Sequence, residues 1–320
     1  MAKVVITGKI PAIAVERLRA EHEVVSWDEP VAISRDELLK RVKGTDAIVS
    51  LLTEKVDAEL LDAAGPQLKV VSNVAVGYNN IDVPACKERN VLVTNTPGVL
   101  TEATADIAMA LILMSTRRLA EGERVIRKQE PWQWGMFYML GMGLQGRQLG
   151  IVGMGQIGIA TARRAKAFGM NIAYTRRSPL EDNVVKELDA KYMSMDELIE
   201  SSDVLSLHCP YSPATHHLMS ENQFARMKKT AFLINTARGP IVHEQALVDA
   251  LKSGQIAGAG LDVFENEPAV NPGLLELDNA VLIPHLGSAT VETRAAMADI
   301  AATNALAILA GAQAPNLVTS

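Results

Sequence analysis

The sequence is poor in the residues that build disulfide scaffolds and base-stacking surfaces. Two cysteines, Cys86 and Cys209, occur among 320 residues, far apart and without a CxxC or a metal-ligand spacing around them. We interpret both as reduced thiols, and we expect no metal site. Aromatic residues make up only 4% of the chain, so stacking platforms for single-stranded bases are scarce.

An excess of positive charge and a long apolar run are also missing. Lys and Arg total 31 against 37 Asp and Glu, a net charge of −6, so the chain has no overall basic field with which to attract nucleic acid. The apolar run 107–114 is far shorter than the roughly 20 residues of a membrane-spanning helix. We expect a cytoplasmic protein that has neither nucleic acid nor a membrane as a partner.

Short apolar runs alternate with helical patterns along most of the chain. KVVITG, EVVSW, DAIVSLL, LKVVSNVAV and VLVTNT are separated by amphipathic stretches, and the pairs Ser34 with Glu37 and Ser194 with Glu197 predict helix caps. Strands that are apolar throughout and separated by helices indicate parallel sheets covered on both faces. A helix is expected over 101–116, followed by a polar connection through Leu140 and a second array from Gln148.

A glycine-rich turn predicts a dinucleotide site. Gly153, Gly155 and Gly158 form a GxGxxG directly after the apolar run LGIV and directly before a helical segment. In this setting the first glycine allows the tight turn, the second lets a pyrophosphate approach the backbone, and the third lets helix and strand pack closely. We expect further cofactor contacts at Gln156 and Ile157.

The end of the following strand predicts which dinucleotide is bound. An acidic residue about 20 positions after the glycines would accept the ribose 2′-hydroxyl of NAD. Arg176, Arg177 and Ser178 occupy that region instead, and arginine binds phosphate through charge-assisted hydrogen bonds. NADP(H) is therefore the predicted cofactor; the alternative is a solvated basic loop, with NAD(H) bound.

Two successive arrays predict an α/β protein with two doubly wound parallel-sheet domains. One long helix precedes the second array and another, about 291–309, follows it, so the chain crosses between the domains twice. We predict a Rossmann dinucleotide-binding domain over 99–284. It is inserted in a discontinuous, flavodoxin-like substrate domain formed by 1–98 and 285–320.

Three charged residues follow predicted strands of the second array. Arg238 lies in INTARGP, Glu267 in LDVFENEP and His285 in LIPHLGSAT. Ligands of open α/β sheets bind beyond the carboxyl ends of the strands, so these side chains are expected in the same crevice as the glycine turn. Together they supply a proton donor and a cation, which carbonyl reduction by a bound hydride donor needs.

With these motifs the sequence closely resembles the D-isomer-specific 2-hydroxyacid dehydrogenase family, and within it the glyoxylate/hydroxypyruvate reductases. NVAVGYNNID, TNTPGVLTEATAD, LGIVGMGQIG, INTARGPIV, AGAGLDVFENEP and PHLGSAT occur in that order over nearly the whole chain. The resemblance implies that His285 is the acid/base, Glu267 its carboxylate partner, and Arg238 the group that binds the substrate carboxylate and polarises the keto oxygen. A carboxylate beside a histidine favours the imidazolium form.

The resemblance implies further contacts. The backbone N–H groups of Val76 and Gly77 would hold the substrate carboxylate, and Leu52 would line the pocket. Asp262 would accept the nicotinamide amide. The other expected cofactor contacts are Thr104, Cys209, Pro210 and Thr236.

The family also implies a homodimer whose active site lies in the cleft between two domains. Trp132 and Trp134 could then serve either interdomain or dimer packing or the substrate pocket of a partner subunit. The adjacent residues His216 and His217 are expected to diverge and to lie on a surface loop, which makes them poor joint metal ligands.

The predicted function is NADPH-dependent reduction of a small 2-oxo acid by hydride transfer, with His285 as the proton donor. Glyoxylate and hydroxypyruvate are the expected substrates, giving glycolate and D-glycerate. The alternatives are a 2-ketogluconate reductase, a D-lactate-type or phosphoglycerate dehydrogenase, or a non-catalytic dinucleotide-sensing corepressor on the same fold.

Overall fold

The computed structural model describes residues 1–318, which form two compact units. Unit 1 comprises Met1–Leu100 and the segment from Ala289 onward, and unit 2 comprises Thr101–Ser288. The chain thus leaves unit 1 two residues after the predicted boundary at 98 and returns to it four residues after the predicted boundary at 284. His285 therefore belongs to unit 2, because its backbone N–H donates to the carbonyl of Asp262 at 2.9 Å.

Unit 1 alternates strands and helices up to residue 94. The elements are β1 (Lys3–Ile6), α1 (Ala12–Glu21), β2 (Glu23–Ser26), α2 (Arg35–Arg41), β3 (Ala47–Ser50), α3 (Ala58–Ala64), β4 (Val70–Asn73), α4 (Val83–Glu88) and β5 (Leu92–Thr94). The strands form one parallel sheet in the order β2-β1-β3-β4-β5.

Unit 2 contains the second array. Its elements are α5 (Thr101–Thr116), α6 (Leu119–Arg127), β6 (Gln148–Val152), α7 (Gln156–Ala167), β7 (Asn171–Thr175), α8 (Asp182–Leu188), β8 (Lys191–Tyr192), α9 (Met195–Ser201), β9 (Val204–Leu207), α10 (Glu221–Arg226), β10 (Phe232–Asn235), α11 (Glu244–Lys252), β11 (Gly258–Leu261), α12 (Pro272–Leu275) and β12 (Ala280–Leu282). The chain then returns to unit 1 with α13 (Val291–Leu309).

Each sheet is covered by helices on both faces because successive side chains of a strand point to opposite sides. In unit 1, Val5 packs with α2, α3 and α4, whereas Val4 packs with α1 and α13. In unit 2, Leu205 packs with α9, α10 and α11, whereas Val204 packs with α5 and α7. The predicted α/β class with two doubly wound parallel sheets is confirmed.

The order of the second sheet determines where a ligand can bind. Its strands run parallel in the order β12-β11-β10-β9-β6-β7-β8, so the connections leaving β6 and β9 go to opposite sides. A crevice forms at such a reversal, outside the carboxyl ends of the strands. In this sheet the glycine turn after β6 lies at that position.

The structure differs from the sequence prediction at two helix starts. Leu119–Arg127 is the helix α6 rather than part of a polar connection, and it buries none of its residues within the described chain. The predicted cap at Ser34 is present, because its Oγ accepts the N–H of Glu37 at 3.3 Å, but the Glu37 carboxylate binds Arg41 instead of closing the capping box. The Ser194–Glu197 box is complete.

Membrane spans were sought among the helices of residues 1–318. None of them combines the length with the apolar composition that a bilayer crossing requires.

Candidate active site

The three glycines after β6 differ in whether the packing of the chain requires a glycine at that position. Gly153 has φ +90°, and a Cβ there would lie 2.4 Å from the backbone nitrogen of Cys209, so the fold itself requires glycine. A Cβ on Gly158 would lie 3.0 Å from the carbonyl oxygen of Gly153, where helix and strand pack together. At Gly155, in contrast, no described atom comes within 4 Å of a Cβ. Packing within the chain therefore does not explain Gly155, whereas the approach of a ligand to the backbone does.

The helix that follows favours an anion at the same place. Gly155 is the N-cap residue of the 12-residue helix α7, and its first turn contains no acidic side chain. The first N–H groups of a helix point along its axis and carry a partial positive charge. Open space in front of these groups suits a pyrophosphate.

Arg176 directs its guanidinium towards the glycine turn. Its Nη1 donates to the carbonyl of Met154 at 3.3 Å, and Tyr192 donates its hydroxyl proton to the Arg176 carbonyl at 3.1 Å. Arg177 and Ser178 are exposed on the same loop after β7. Both predicted arginines are exposed, and the guanidinium of Arg176 is hydrogen-bonded to the turn.

The expected contacts after β9 and β10 lie at the same edge of the sheet. Cys209 touches Gly153 with its backbone, and burial raises the pKa of its thiol to about 11, so the thiol is neutral. Pro210, which follows it, is exposed. The buried hydroxyl of Thr236 has no hydrogen-bond partner within residues 1–318, which leaves it available for a ligand.

Glu267 and His285 meet although 18 residues separate them. His285 Nδ1 lies 2.8 Å from Glu267 Oε2, and the N–H of Phe264 donates to Glu267 Oε1 at 2.9 Å. Burial alone would raise the pKa of Glu267, but the contacts with His285, Phe264 and Arg238 lower it below its usual value. The carboxylate is therefore ionised and orients the imidazole with Nε2 on the opposite side.

The backbone of His285 adopts a conformation that the following residues stabilise. Its φ is +51°, which is uncommon for a residue other than glycine. The buried carboxylate of Asp262 accepts the N–H groups of Leu286, at 2.5 Å, and Gly287, at 2.8 Å. The hydroxyl of Thr104 donates to the Gly287 carbonyl at 3.0 Å. Asp262 and Thr104 thus hold the His285 turn, whatever contacts they make with a cofactor.

Arg238 follows β10 on a turn that Asn235 stabilises. The Asn235 side chain accepts the N–H of Ala237 and donates to the Arg238 carbonyl, both at 3.0 Å. Burial lowers the pKa of Arg238, and the charge of Glu267 opposes that shift. Since the guanidinium of arginine remains protonated in proteins, Arg238 is a cation close to the Glu267–His285 pair.

A second histidine at this edge is unsuited to donate a proton. Burial lowers the pKa of His208 to about 4, and its Nε2 lies 2.9 Å from the hydroxyl of Ser206. At neutral pH this imidazole is uncharged. His285, in contrast, has the carboxylate of Glu267 beside it.

The substrate contacts expected in unit 1 lie at the carboxyl ends of its strands. Asn95 donates to the carbonyl of Val76 at 2.8 Å, and Asn73 donates to the carbonyl of Gly77 at 2.9 Å. Because a trans peptide points its N–H away from the preceding carbonyl, these bonds fix the direction of the Gly77 N–H. Leu52 follows β3 and is half-buried.

A cluster of side chains beside Glu267 was not predicted from the sequence, and the prediction for one histidine pair is wrong. The rings of His216 and His217 do not diverge; they stack with centroids 3.8 Å apart, because His217 has φ +49°. His217 Nε2 lies 2.5 Å from Glu265 Oε1. Adjacent histidines were the only signal in the sequence. Among residues 1–318, no three His, Cys, Asp or Glu side chains are grouped as metal ligands.

Comparison with known proteins identifies the family. A family model described as D-isomer specific 2-hydroxyacid dehydrogenase, NAD binding domain, matches residues 109–287. A glyoxylate reductase from Thermococcus onnurineus is 48% identical, with 99% of this chain and 95% of that protein covered.

Solved structures are similar over the whole chain. A protein from Thermus thermophilus matches with a TM-score of 0.92 and 43% identity, covering 99% of this chain and 100% of that one. An NADPH-dependent glyoxylate/hydroxypyruvate reductase from Sinorhizobium meliloti, in complex with NADP and malonate, matches with a TM-score of 0.85 and 36% identity, covering 99% and 97%. The chain therefore belongs to the D-isomer specific 2-hydroxyacid dehydrogenase family and is an NAD(P)-dependent oxidoreductase.

Proposed function

We propose that this enzyme reduces glyoxylate and hydroxypyruvate to glycolate and D-glycerate, with NADPH as the hydride donor and His285 as the proton donor. The observation that carries the proposal is the Glu267–His285 contact of 2.8 Å, on the sheet edge that also bears the glycine turn. The relatives named glyoxylate reductase, at 48% identity, support the substrate class.

Reduction of the keto group adds a hydride, which carries both electrons, to its carbon and a proton to its oxygen. Bound NADPH would supply the hydride. His285 donates the proton from Nε2 to the oxygen, and Glu267 stabilises the imidazolium beforehand. Arg238 binds the substrate carboxylate and polarises the keto oxygen, because its buried guanidinium is the cation beside this pair.

The remaining expected contacts fit a dinucleotide and a small acid. The N–H groups behind Gly155, with Gln156 and Ile157, would hold the pyrophosphate. Thr236 offers a buried hydroxyl without another partner in the described chain. Four other residues complete the proposed cofactor site: Thr104, Cys209, Pro210 and Asp262. In unit 1, the backbone of Val76 and Gly77 would bind the substrate carboxylate, with Leu52 as an apolar wall.

NADPH is the preferred cofactor in this proposal because the loop after β7 is cationic. Arg176 is held beside the glycine turn, and Arg177 and Ser178 follow it with exposed side chains. Two guanidiniums and a hydroxyl would bind the 2′-phosphate. The NADP complex of the Sinorhizobium meliloti reductase supports the same choice.

We propose further that the enzyme is a homodimer. The helix α6 buries no residue within the described chain, and the segment after it exposes Trp132, Trp134, Met136 and Phe137 by 54 to 89%. Contiguous exposed apolar groups of this size are typical of protein interfaces. A second copy of the chain is the proposed partner.

Replacing His285 tests the function. The parent enzyme should oxidise NADPH with glyoxylate and with hydroxypyruvate, faster than with pyruvate or 2-ketogluconate. His285→Asn should lower kcat by about 10²- to 10⁴-fold, because a positioned general acid contributes this much. NADPH affinity, measured by fluorescence titration, should stay at the parent value. A fully active variant, or a parent that binds NADPH without reducing any 2-oxo acid, would refute the proposal, and the latter result would favour a dinucleotide sensor.

A pair of glycine variants tests the cofactor turn. Gly155→Ala should cost at most about 1 kcal/mol of stability, since alanine is only a poorer N-cap there, yet it should weaken NADPH binding by about tenfold or more. Gly153→Ala should destabilise the protein itself, because it adds a side chain at φ +90° against the Cys209 backbone. Thermal melts and NADPH titrations measure both effects. Unchanged NADPH affinity in Gly155→Ala would contradict the assignment.

Removing both loop arginines tests the cofactor preference. The double variant Arg176→Ala, Arg177→Ala should weaken NADPH binding by about 10- to 100-fold, as expected for lost charge-assisted hydrogen bonds, and should change NADH binding little. The matched control is Arg163→Ala, which removes a surface arginine on α7 that binds Glu187 at 2.6 Å. Equal losses for the two dinucleotides would show that the loop does not recognise the 2′-phosphate.

Sedimentation tests the proposed dimer. The parent should sediment at twice the 34.4 kDa chain mass, and the double variant Trp134→Ser, Phe137→Ser should dissociate at higher protein concentration than the parent. Leu275→Ser is the control, since this leucine is exposed on α12, outside that segment. A monomeric parent at micromolar concentration would rule out the proposal.

A further inference from the structure

The loop that carries Glu267 rests directly on the turn that carries Arg238. A Cβ on Gly239 would lie 1.8 Å from the Phe264 carbonyl oxygen and 2.4 Å from the Glu265 nitrogen. Only a glycine allows two backbones to come this close. The two segments can therefore keep the Arg238 and Glu267 side chains close together as long as the segments do not shift relative to each other.

The side chains of Glu244 and Glu265 hold these two segments in position relative to each other. The N–H of Glu265 donates to Glu244 Oε1 at 2.5 Å, and the N–H of Glu244 donates to Glu265 Oε2 at 3.3 Å. Glu244 is buried, which raises its pKa, and the nearby charge of Glu265 acts in the same direction. Burial would also raise the pKa of Glu265, but the contacts with His217 and with the Glu244 N–H lower it below its usual value.

His217 completes the arrangement. Its Nε2 lies 2.5 Å from Glu265 Oε1, and its backbone N–H donates to the Pro240 carbonyl at 2.9 Å. Its ring lies 3.8 Å from the ring of His216 and 4.7 Å from that of His243. His217 therefore bonds to both segments, and its neighbours restrict the rotation of its ring.

The residues around His217 form separate contacts of their own. His243 Nδ1 lies 3.1 Å from Glu221 Oε1, and His216 Nδ1 lies 3.4 Å from the hydroxyl of Tyr211. Of the side-chain hydrogen bonds described for His216, His217 and His243, the bond of His217 is the one that reaches the loop 264–267.

We propose that Glu265 and His217 are positioning residues for proton transfer. They fix Phe264 and Glu265 against the 239–244 turn, so that the Phe264 N–H holds one oxygen of Glu267 while the other oxygen faces His285. This inference rests on the proposed function of the Glu267–His285 pair. A shift of the loop by about 1 Å would disturb both contacts of Glu267, and a misplacement of that size can cost up to about 100-fold in rate.

Kinetics of Glu265→Gln test the inference. We expect kcat for glyoxylate to fall by about 10- to 100-fold, while KM for glyoxylate and for NADPH stay near the parent values, because Glu265 is not one of the proposed ligand contacts. The alkaline decline of kcat should begin at lower pH than in the parent, because a displaced Glu267 stabilises the imidazolium less. His217→Gln, whose amide nitrogen reaches the position of Nε2, should keep most of the activity that His217→Leu loses.

The control variant is Glu221→Gln. It removes a Glu–His contact from the same histidine group without touching the 264–267 loop, and should leave kcat and its pH profile unchanged. Equal effects of Glu221→Gln and Glu265→Gln would overturn the inference. So would a Glu265→Gln variant with the parent's kcat, or one that loses melting temperature and kcat while its pH profile stays in place.

A measurement without substrate separates this inference from the proposed function. In the cofactor-free protein, the imidazole signals of His285 can be identified by NMR from their loss in His285→Asn. Their pH midpoint should move to lower pH in Glu265→Gln and in His217→Leu, but not in Glu221→Gln. If the parent reduces no 2-oxo acid, the proposed function fails, and this titration still decides whether Glu265 and His217 position Glu267. An unmoved midpoint would overturn the inference.

Discussion

The site depends on one buried carboxylate at the end of β11. Asp262 accepts the N–H groups of Leu286 and Gly287 with its side chain, while its backbone carbonyl accepts the N–H of His285. These bonds hold the chain after β12 in a turn in which His285 has a positive φ. The direction of the His285 imidazole, and hence its contact with Glu267, follows from that turn.

Most of the fold could be predicted because the apolar pattern of each segment agrees with the position of that segment in the sheets. Runs such as AIVS in β3 and VLSL in β9 are buried throughout, and the apolar pattern of the sequence indicates a central parallel strand directly. The helix α6 was not predicted: it buries none of its residues within the described chain, so no buried apolar run marks it in the sequence. The sequence pattern does not show the bonds from Asp262, which cross 24 residues and tie the turn after β12 to unit 2.

The sequence indicates which residues form the candidate site. It indicates only some of the contacts between them. Parallel strands bring their carboxyl ends to one edge, and this rule predicts Arg238, Glu267 and His285 at the same edge of the sheet. The rule says nothing about loops that bond to one another. The contact between His217 and Glu265 spans 48 residues and needs a positive φ at His217, which the sequence does not encode in any recognisable pattern.

The discontinuous first unit has a consequence for synthesis on the ribosome. One face of its sheet, including Val4, Val49 and Val70, is covered partly by α13, which contains Ala298 and Ala301. This helix is translated after the whole of unit 2, so the nascent chain carries an uncovered apolar sheet face while nearly 200 further residues emerge. Unit 2, which is continuous, has all its strands available before that face is closed. The packing of the first sheet is therefore completed only after the second sheet has been synthesised.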